Sequence, residues 1–111
     1  MSPLRSQTRT RAKAIVDLLR SKGYRASSPR ELPDCAQSYL ECCGIVLLLA
    51  FFDGRFTDGL VIKVTTDIGG CEDVLYSPHG LYVIGGTDEE AAERVLEKAR
   101  FLSALQGPVR S

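Results

Sequence analysis

The stretch GIVLLLAFFDGRFTDGLVIKVT, residues 44–65, decides how this chain is read. Ile45 to Phe52 is a continuous apolar run of strand length, rich in residues that favour extended backbone. Asp53-Gly54 and Asp58-Gly59 are turn or bulge pairs, and Leu60 to Thr65 is a second β-rich run. The pattern predicts a hairpin with some irregularity near Phe56.

Working outward from the hairpin, Ile68-Gly69-Gly70 turns the chain again, and Asp73 to Tyr76 and Leu81 to Ile84 read as two further strands. Ser77-Pro78-His79-Gly80 is the tight connection between them. Four consecutive antiparallel strands are therefore expected. A helix follows: Thr87 and Glu90 have capping-box spacing, and Asp88, Glu89 and Glu90 suit the positive end of a helix dipole. Ala92, Val95, Leu96, Ala99 and Leu102 make one apolar face, and Gly107-Pro108 ends the helix.

Upstream, Thr8 to Lys22 places Ala12, Ile15, Val16 and Leu19 at helical spacing, with Leu18 widening the stripe and Gly23 as the C-terminal cap. Tyr24 to Ser27 reads as a short strand before the Ser28-Pro29 breaker. Asp34 and Gln37 have capping-box form after Pro33, so Cys35 to Cys43 reads as a short helix ending at Gly44, with an extended run from Ser38 as the alternative. The order α-β-α-β-β-β-β-α predicts an α+β fold: a curved antiparallel sheet with helices on one face and the other face open. At 111 residues, 44% hydrophobic and 25% charged, the chain has the size and composition of one domain. Its parts are a basic helix (1–23), an α+β core (24–106) and a tail (107–111).

Charge is sorted along the length. Residues 1–30 hold eight basic side chains (Arg5, Arg9, Arg11, Lys13, Arg20, Lys22, Arg25, Arg30) against Asp17 alone, a formal +7. The remaining 81 residues hold six basic and thirteen acidic groups, a formal −7. Arg9, Lys13 and Arg20 fall on one side of the first helix at about 100° per residue, a stripe interrupted by Asp17. A basic end on an acidic domain is the pattern of a segment that meets an anionic partner, nucleic acid first. The alternative is a solvated first helix.

The longest apolar run is eight residues, whereas a membrane-spanning helix needs about 20. Nothing at the N-terminus has the layout of a signal peptide, so the chain reads as intracellular and cytoplasmic. Cys35, Cys42, Cys43 and Cys71 with His79 lack the close pairs of a zinc site. They read as small buried apolar residues, with a Cys71 disulfide to Cys42 or Cys43 as the alternative.

Two segments carry a resemblance. One runs Phe52-Asp53-Gly54-Arg55-Phe56-Thr57-Asp58-Gly59-Leu60-Val61-Ile62-Lys63-Val64, the other from Val74-Leu75-Tyr76-Ser77 through Leu81-Tyr82-Val83-Ile84 to Gly85-Gly86-Thr87-Asp88-Glu89-Glu90. Allowing one extra residue in each, they resemble one repeat of the TATA-box-binding protein fold, over about residues 24–106. The resemblance implies that Phe56 and Tyr76 stand where that family wedges aromatic rings between base steps in the minor groove, and Lys63 where it contacts phosphate. The family's lysines in the strand and before the last helix fall on Leu81 and Asp88. With one repeat per chain, a full saddle requires a homodimer. The competing reading makes Phe56 and Tyr76 hairpin aromatics packed on a neighbouring strand, and Lys63 the solvent-facing member of an alternating pattern.

Enzymatic motifs are few. Gly85-Gly86-Thr87 has the place of a phosphate-cradling turn, but three acids fill the helical turn behind it. A nuclease-type site needs an acid two residues before its lysine, and Val61 stands there before Lys63. His79 sits in a Pro-Gly turn, and Glu72 and Asp73 would point to opposite sheet faces if they lay in a strand. The chain is thus expected to be a small non-enzymatic module without a cofactor, acting as a homodimer. Its expected partner is nucleic acid, DNA rather than RNA and transcription-associated, met through Arg9, Lys13, Arg20, Phe56, Lys63 and Tyr76. The rival is a protein-interaction subunit whose open sheet face or edge is covered by a partner chain.

Overall fold

The computed structural model describes residues 4–54 and 59–106. Helix α1 (Ser6–Ser21) is followed by the short strands β1 (Arg25–Ala26) and β2 (Arg30–Glu31), then β3 (Ala36–Cys42), β4 (Ile45–Gly54) and β5 (Gly59–Thr65). Helix α2 (Cys71–Leu75), strand β6 (Gly80–Ile84) and helix α3 (Asp88–Gln106) complete the chain. The fold is α+β, as the periodicities imply. All strand pairs are antiparallel, in the order β1-β3-β4-β5-β6, and β2 lies on the same side of β3 as β1.

Two elements differ from expectation. Cys35 to Cys43 is not a helix: the alternative extended reading holds, as β3. Ala36, Ser38, Leu40 and Cys42 are buried, while Tyr39 and Glu41 on the opposite face are exposed, a period of two that outweighs the Asp34 and Gln37 capping signal. Cys43 (φ 65°) and Gly44 (φ 86°) then form a two-residue loop between the paired Cys42 and Ile45. Left-handed backbone at both loop positions matches the twist of a hairpin. Asp73 to Tyr76 is likewise not a strand. Asp73 reaches back to the Gly70 N–H at 3.4 Å, the Val74 N–H donates to Gly70 O at 2.9 Å, and one short helix results. The four consecutive strands expected from Ile45 onward are therefore three, β4, β5 and β6, with α2 interrupting them before β6. The irregularity expected near Phe56 lies outside the described residues.

Helix ends follow their local chemistry. At the end of α1, the Gly23 N–H bonds Arg20 O and the Tyr24 N–H bonds Leu19 O, with Gly23 at φ 97°: a Schellman closure. Its start is capped from a distance, since Asp53 on β4 accepts from the Arg5 N–H at 3.2 Å and from the Thr8 hydroxyl. For α3 the expected capping box forms, with Glu90 N–H to Thr87 Oγ1 at 3.1 Å and Thr87 N–H to Glu90 Oε1 at 2.9 Å.

Helices α1 and α3 pack on one face of the sheet. The core between them holds Ile15, Val16 and Leu19 of α1 and Ala92, Val95, Leu96 and Ala99 of α3 against Leu40, Leu47, Leu49, Phe51, Ile62, Val64 and Val83. The second face is only half open. Beneath α2 and the segment before β3 lies a smaller cluster of Cys35, Leu48, Ala50, Phe52 and Val74, joined by Leu32, Val61, Cys71 and Leu75.

Cysteine pairing also departs from expectation. Cys35 is bonded to Cys71 and Cys42 to Cys43, so the four residues are not free thiols and Cys71 does not meet the β3–β4 turn. Fold proximity brings Cys35 to Cys71, 36 residues apart, whereas Cys42 and Cys43 are chain neighbours. No described helix is long and apolar enough to cross a membrane.

Candidate functional site

The basic residues that the charge pattern singles out do not form an open stripe. Arg5 pairs with Asp53 (3.7 Å), Arg9 with Glu31 (3.9 Å), Arg11 with Asp88 (2.7 Å), Lys22 with Glu93 (2.7 Å) and Arg25 with Glu41 (3.9 Å). Each of these five pairs joins the positive first part of the chain to the negative remainder. Arg9 also donates to Leu4 O, and Arg20 donates to Ala26 O and faces Asp17. Lys13 and Arg30 are exposed and have no ion-pair partner among the described residues. The exposed pairs among these contribute about 0–1 kcal/mol each and neutralise the surface more than they stabilise it; Arg11–Asp88 is half-buried.

Lys63 is buried, not solvent-facing: strand alternation points it at the second face of the sheet, where it is 1% exposed. Its stem crosses Gly80, and its ammonium donates to Ser77 O at 2.7 Å, to Leu75 O at 3.4 Å and to Tyr82 Oη at 3.3 Å. The same ammonium lies 4.5 Å from the centre of the Tyr82 ring. The Tyr82 hydroxyl in turn donates to Leu75 O at 2.5 Å. These two side chains satisfy the carbonyls at the C-terminal end of α2, where a cation is favoured. A substituent at Gly80 would collide with Lys63 Cε and meet Val64 O at 2.8 Å, so glycine there leaves the room in which Lys63 crosses.

Tyr76, just past α2, is 75% exposed. Phe56 lies outside the described residues. The structure therefore brings Lys63 and the α2–β6 connection together but leaves Arg9, Lys13 and Arg20 on α1, behind the other face of the sheet.

Beside this connection, the Ser77 hydroxyl donates to Asp67 Oδ2, His79 Nδ1 lies 3.3 Å from the same oxygen, and Thr65 Oγ1 donates to His79 O at 2.6 Å. The Ser77 bond, followed by that of His79, holds the Asp67 carboxyl below its ordinary value of 3.8 against a partial opposing effect of burial. Ser77 faces the carboxylate and not the imidazole, so the trio knots a turn instead of pairing a nucleophile with a base. A shallow hollow lined by Glu41, Cys42, Cys43, Gly44, Ile45 and Val46 is walled by one hairpin.

Residue-type reasoning found β6 as a strand but missed its place at the sheet edge. The Gly85 N–H donates toward β5, to Leu60 O at 3.4 Å, while Ile84 O faces the other way and takes Arg94 Nη1 at 3.3 Å. By strand alternation, the backbone groups of Gly80, Tyr82 and Ile84 point outward from the last strand of the sheet. Tyr82 is 43% and Ile84 49% exposed, and the strand Gly-Leu-Tyr-Val-Ile carries no charge and no proline. The signal was present in the sequence as an uncharged apolar strand, but its place at an edge was not. Comparison with known proteins finds no matching family model, no matching curated protein and no matching solved structure.

Proposed function

We propose that this chain is an interaction module that pairs through the β6 edge with a second copy of itself. The observation that carries the reading is an edge strand with outward N–H and C=O groups, flanked by exposed Tyr76, Tyr82 and Ile84, with no charged residue in the strand itself and with Arg94 on Ile84 O alone. Antiparallel pairing of β6 with β6 about a two-fold axis is isologous and closes, leaving only the charged opposite edges free.

The nucleic-acid reading has less support. Five of the eight N-terminal cations face carboxylates elsewhere in the chain, Arg20 faces Asp17, and the Lys63 ammonium is directed inward.

Sedimentation of the wild-type chain and of Ile84→Lys, at low and high salt, tests the proposal. The expected result is a species of twice the 12.1 kDa chain mass that persists in salt, and a monomeric Ile84→Lys with unchanged circular dichroism. A wild-type monomer at every concentration overturns it. Salt-sensitive binding of a labelled duplex, lost on Lys13→Glu with Arg30→Glu, would put nucleic acid in its place.

A further inference from the structure

The second face of the sheet is crossed by a strap. Its one arm is the segment ahead of β3 that ends at Cys35, turned by the Leu32 N–H to Cys35 O bond of 2.8 Å. Its other arm is α2, which begins at Cys71. The Cys35–Cys71 disulfide, with 5.7 Å between the Cα atoms, joins the arms over β4. Leu48, Ala50 and Phe52 of β4 are buried beneath it. Phe52 pairs across the sheet with Val61, and Val61 with Ile84, so the covered cluster and the exposed β6 edge lie in one apolar row.

We propose that Cys35–Cys71 is a reducible latch that sets how far the docking surface extends. The inference rests on the reading of β6 as a docking edge and assigns its regulation. Apart from the disulfide, α2 is held by one fully buried side chain, Val74, by the partly buried Leu75, by the Lys63 and Tyr82 bonds to its C-terminal carbonyls, and by Gln37 Nε2 to Gly69 O at 2.9 Å. Five helical residues with so few anchors belong to the least stable part of a domain. Helices α1 and α3 pack on the other face and touch neither arm's cluster.

The reductant is a dithiol. Its thiolate attacks Cys71 Sγ, because Cys71 is the partly exposed residue of the pair and Cys35 is 0% exposed. A mixed disulfide forms and Cys35 leaves as a thiolate that takes up a proton. The second thiol of the reductant then closes its own disulfide and releases Cys71 as a thiol: two electrons and two protons are transferred. With the latch open, Leu48, Ala50 and Phe52 join Val61 and Ile84 as one apolar surface continuous with the β6 edge.

The test uses a Cys42→Ala, Cys43→Asn chain, in which only the latch responds and Asn-Gly suits the left-handed loop. Hydrogen exchange is followed by mass spectrometry before and after dithiothreitol, with alkylation to count thiols, and in wild type as a second background. Exchange in residues 67–76 should rise about tenfold or more while α1, α3 and the β3–β5 amides keep their protection. Adding Cys35→Ser and Cys71→Ser should reproduce the open state without reductant. Unchanged exchange with both thiols alkylated overturns the latch, and so does loss of protection along the whole chain, which would mean a structural staple. Sedimentation of the oxidised chain keeps the two ideas apart. A dimer indifferent to reduction removes the latch alone, whereas an oxidised monomer that opens on reduction removes the edge pairing and leaves the latch.

Discussion

The two edges of the sheet are built on opposite principles. On one side, β1 and β2 are two residues each, separated by the Ser27-Ser28-Pro29 break, and present Arg25, Arg30 and Glu31. Arg20 covers Ala26 O, and Ser27 and Ser38 bond across the break, with Ser38 Oγ to Ser27 O at 2.6 Å and the Tyr39 N–H to Ser27 Oγ at 2.8 Å. Shortness, proline and charge are the means by which a sheet refuses another strand. On the other side, β6 is five residues, uncharged and apolar, with one outward carbonyl bonded to Arg94. A chain that guards one edge with charge and proline and leaves the other uncharged fits the proposal that the second edge is the one that pairs.

The largest effect should come where β6 depends on what crosses it. Lys63→Ala deprives Ser77 O, Leu75 O and the Tyr82 hydroxyl of a shared partner and empties a filled site, and should cost about 2–4 kcal/mol in urea unfolding. Gly80→Ala forces Lys63 and the Val64 carbonyl aside and should cost about 1–3 kcal/mol by the same assay. Arg25→Ala on the guarded edge, where the pair to Glu41 is exposed, should change stability by less than about 0.5 kcal/mol. Equal costs at the two edges would erase the contrast.

Association sharpens the same contrast at smaller cost to folding. Ile84→Lys should leave unfolding within about 0.5 kcal/mol of wild type yet abolish the dimer in sedimentation. Removing the guards, with Pro29→Ala, Arg25→Val and Arg30→Val together, should produce species larger than a dimer, because the second edge then also accepts strands. If the triple variant stays dimeric, charge and proline are not what protects that edge.

The smallest effect concerns acid. Asp67, lowered chiefly by the Ser77 hydroxyl, and Glu93, lowered chiefly by its Lys22 hydrogen bond, both have folded values depressed below their ordinary 3.8 and 4.5. Depressed carboxyls contribute stability that is present above the ordinary value and lost as pH falls through the folded one. Thermal midpoints followed from pH 5 downward should therefore drop below about pH 4, and Asp67→Asn should shallow that decline. An identical acid profile for the variant would show that the turn knot contributes nothing.

Reading the sequence alone reached most of the architecture and little of the site. Helices α1 and α3 were legible because apolar residues recur at helical spacing and because Gly23 and the Thr87–Glu90 box mark their ends. Strands β4, β5 and β6 were legible as runs bounded by glycine. The failures were local signals overruled by packing. Gln37 looked like a capping residue, but pairing with Ala50 turned it to a sheet face. Asp73 opened a strand on paper, yet its carboxylate closes on the Gly70 N–H. Among the proposed site residues, Arg9 and Arg20 lie on α1, and nothing in the sequence marked Glu31, Leu4 O or Ala26 O as their partners. Lys63 was expected at a phosphate, with the solvent-facing side of a strand as the competing reading, because alternation tells which face a residue takes, not whether a helix covers that face.

What the sequence by itself determined is what repeats over short distances: helix faces, strand runs, turn chemistry and the sorting of charge, all properties of neighbours along the chain. Tertiary structure decided which groups met. It folded the positive segment against the negative remainder, paired Cys35 with Cys71 across the sheet, buried Lys63 under α2 and left β6 at an edge. Ion pairing, disulfide reach and desolvation depend on distances in space of a few ångströms between residues tens of positions apart, and chain spacing holds no record of those distances until the sheet has formed.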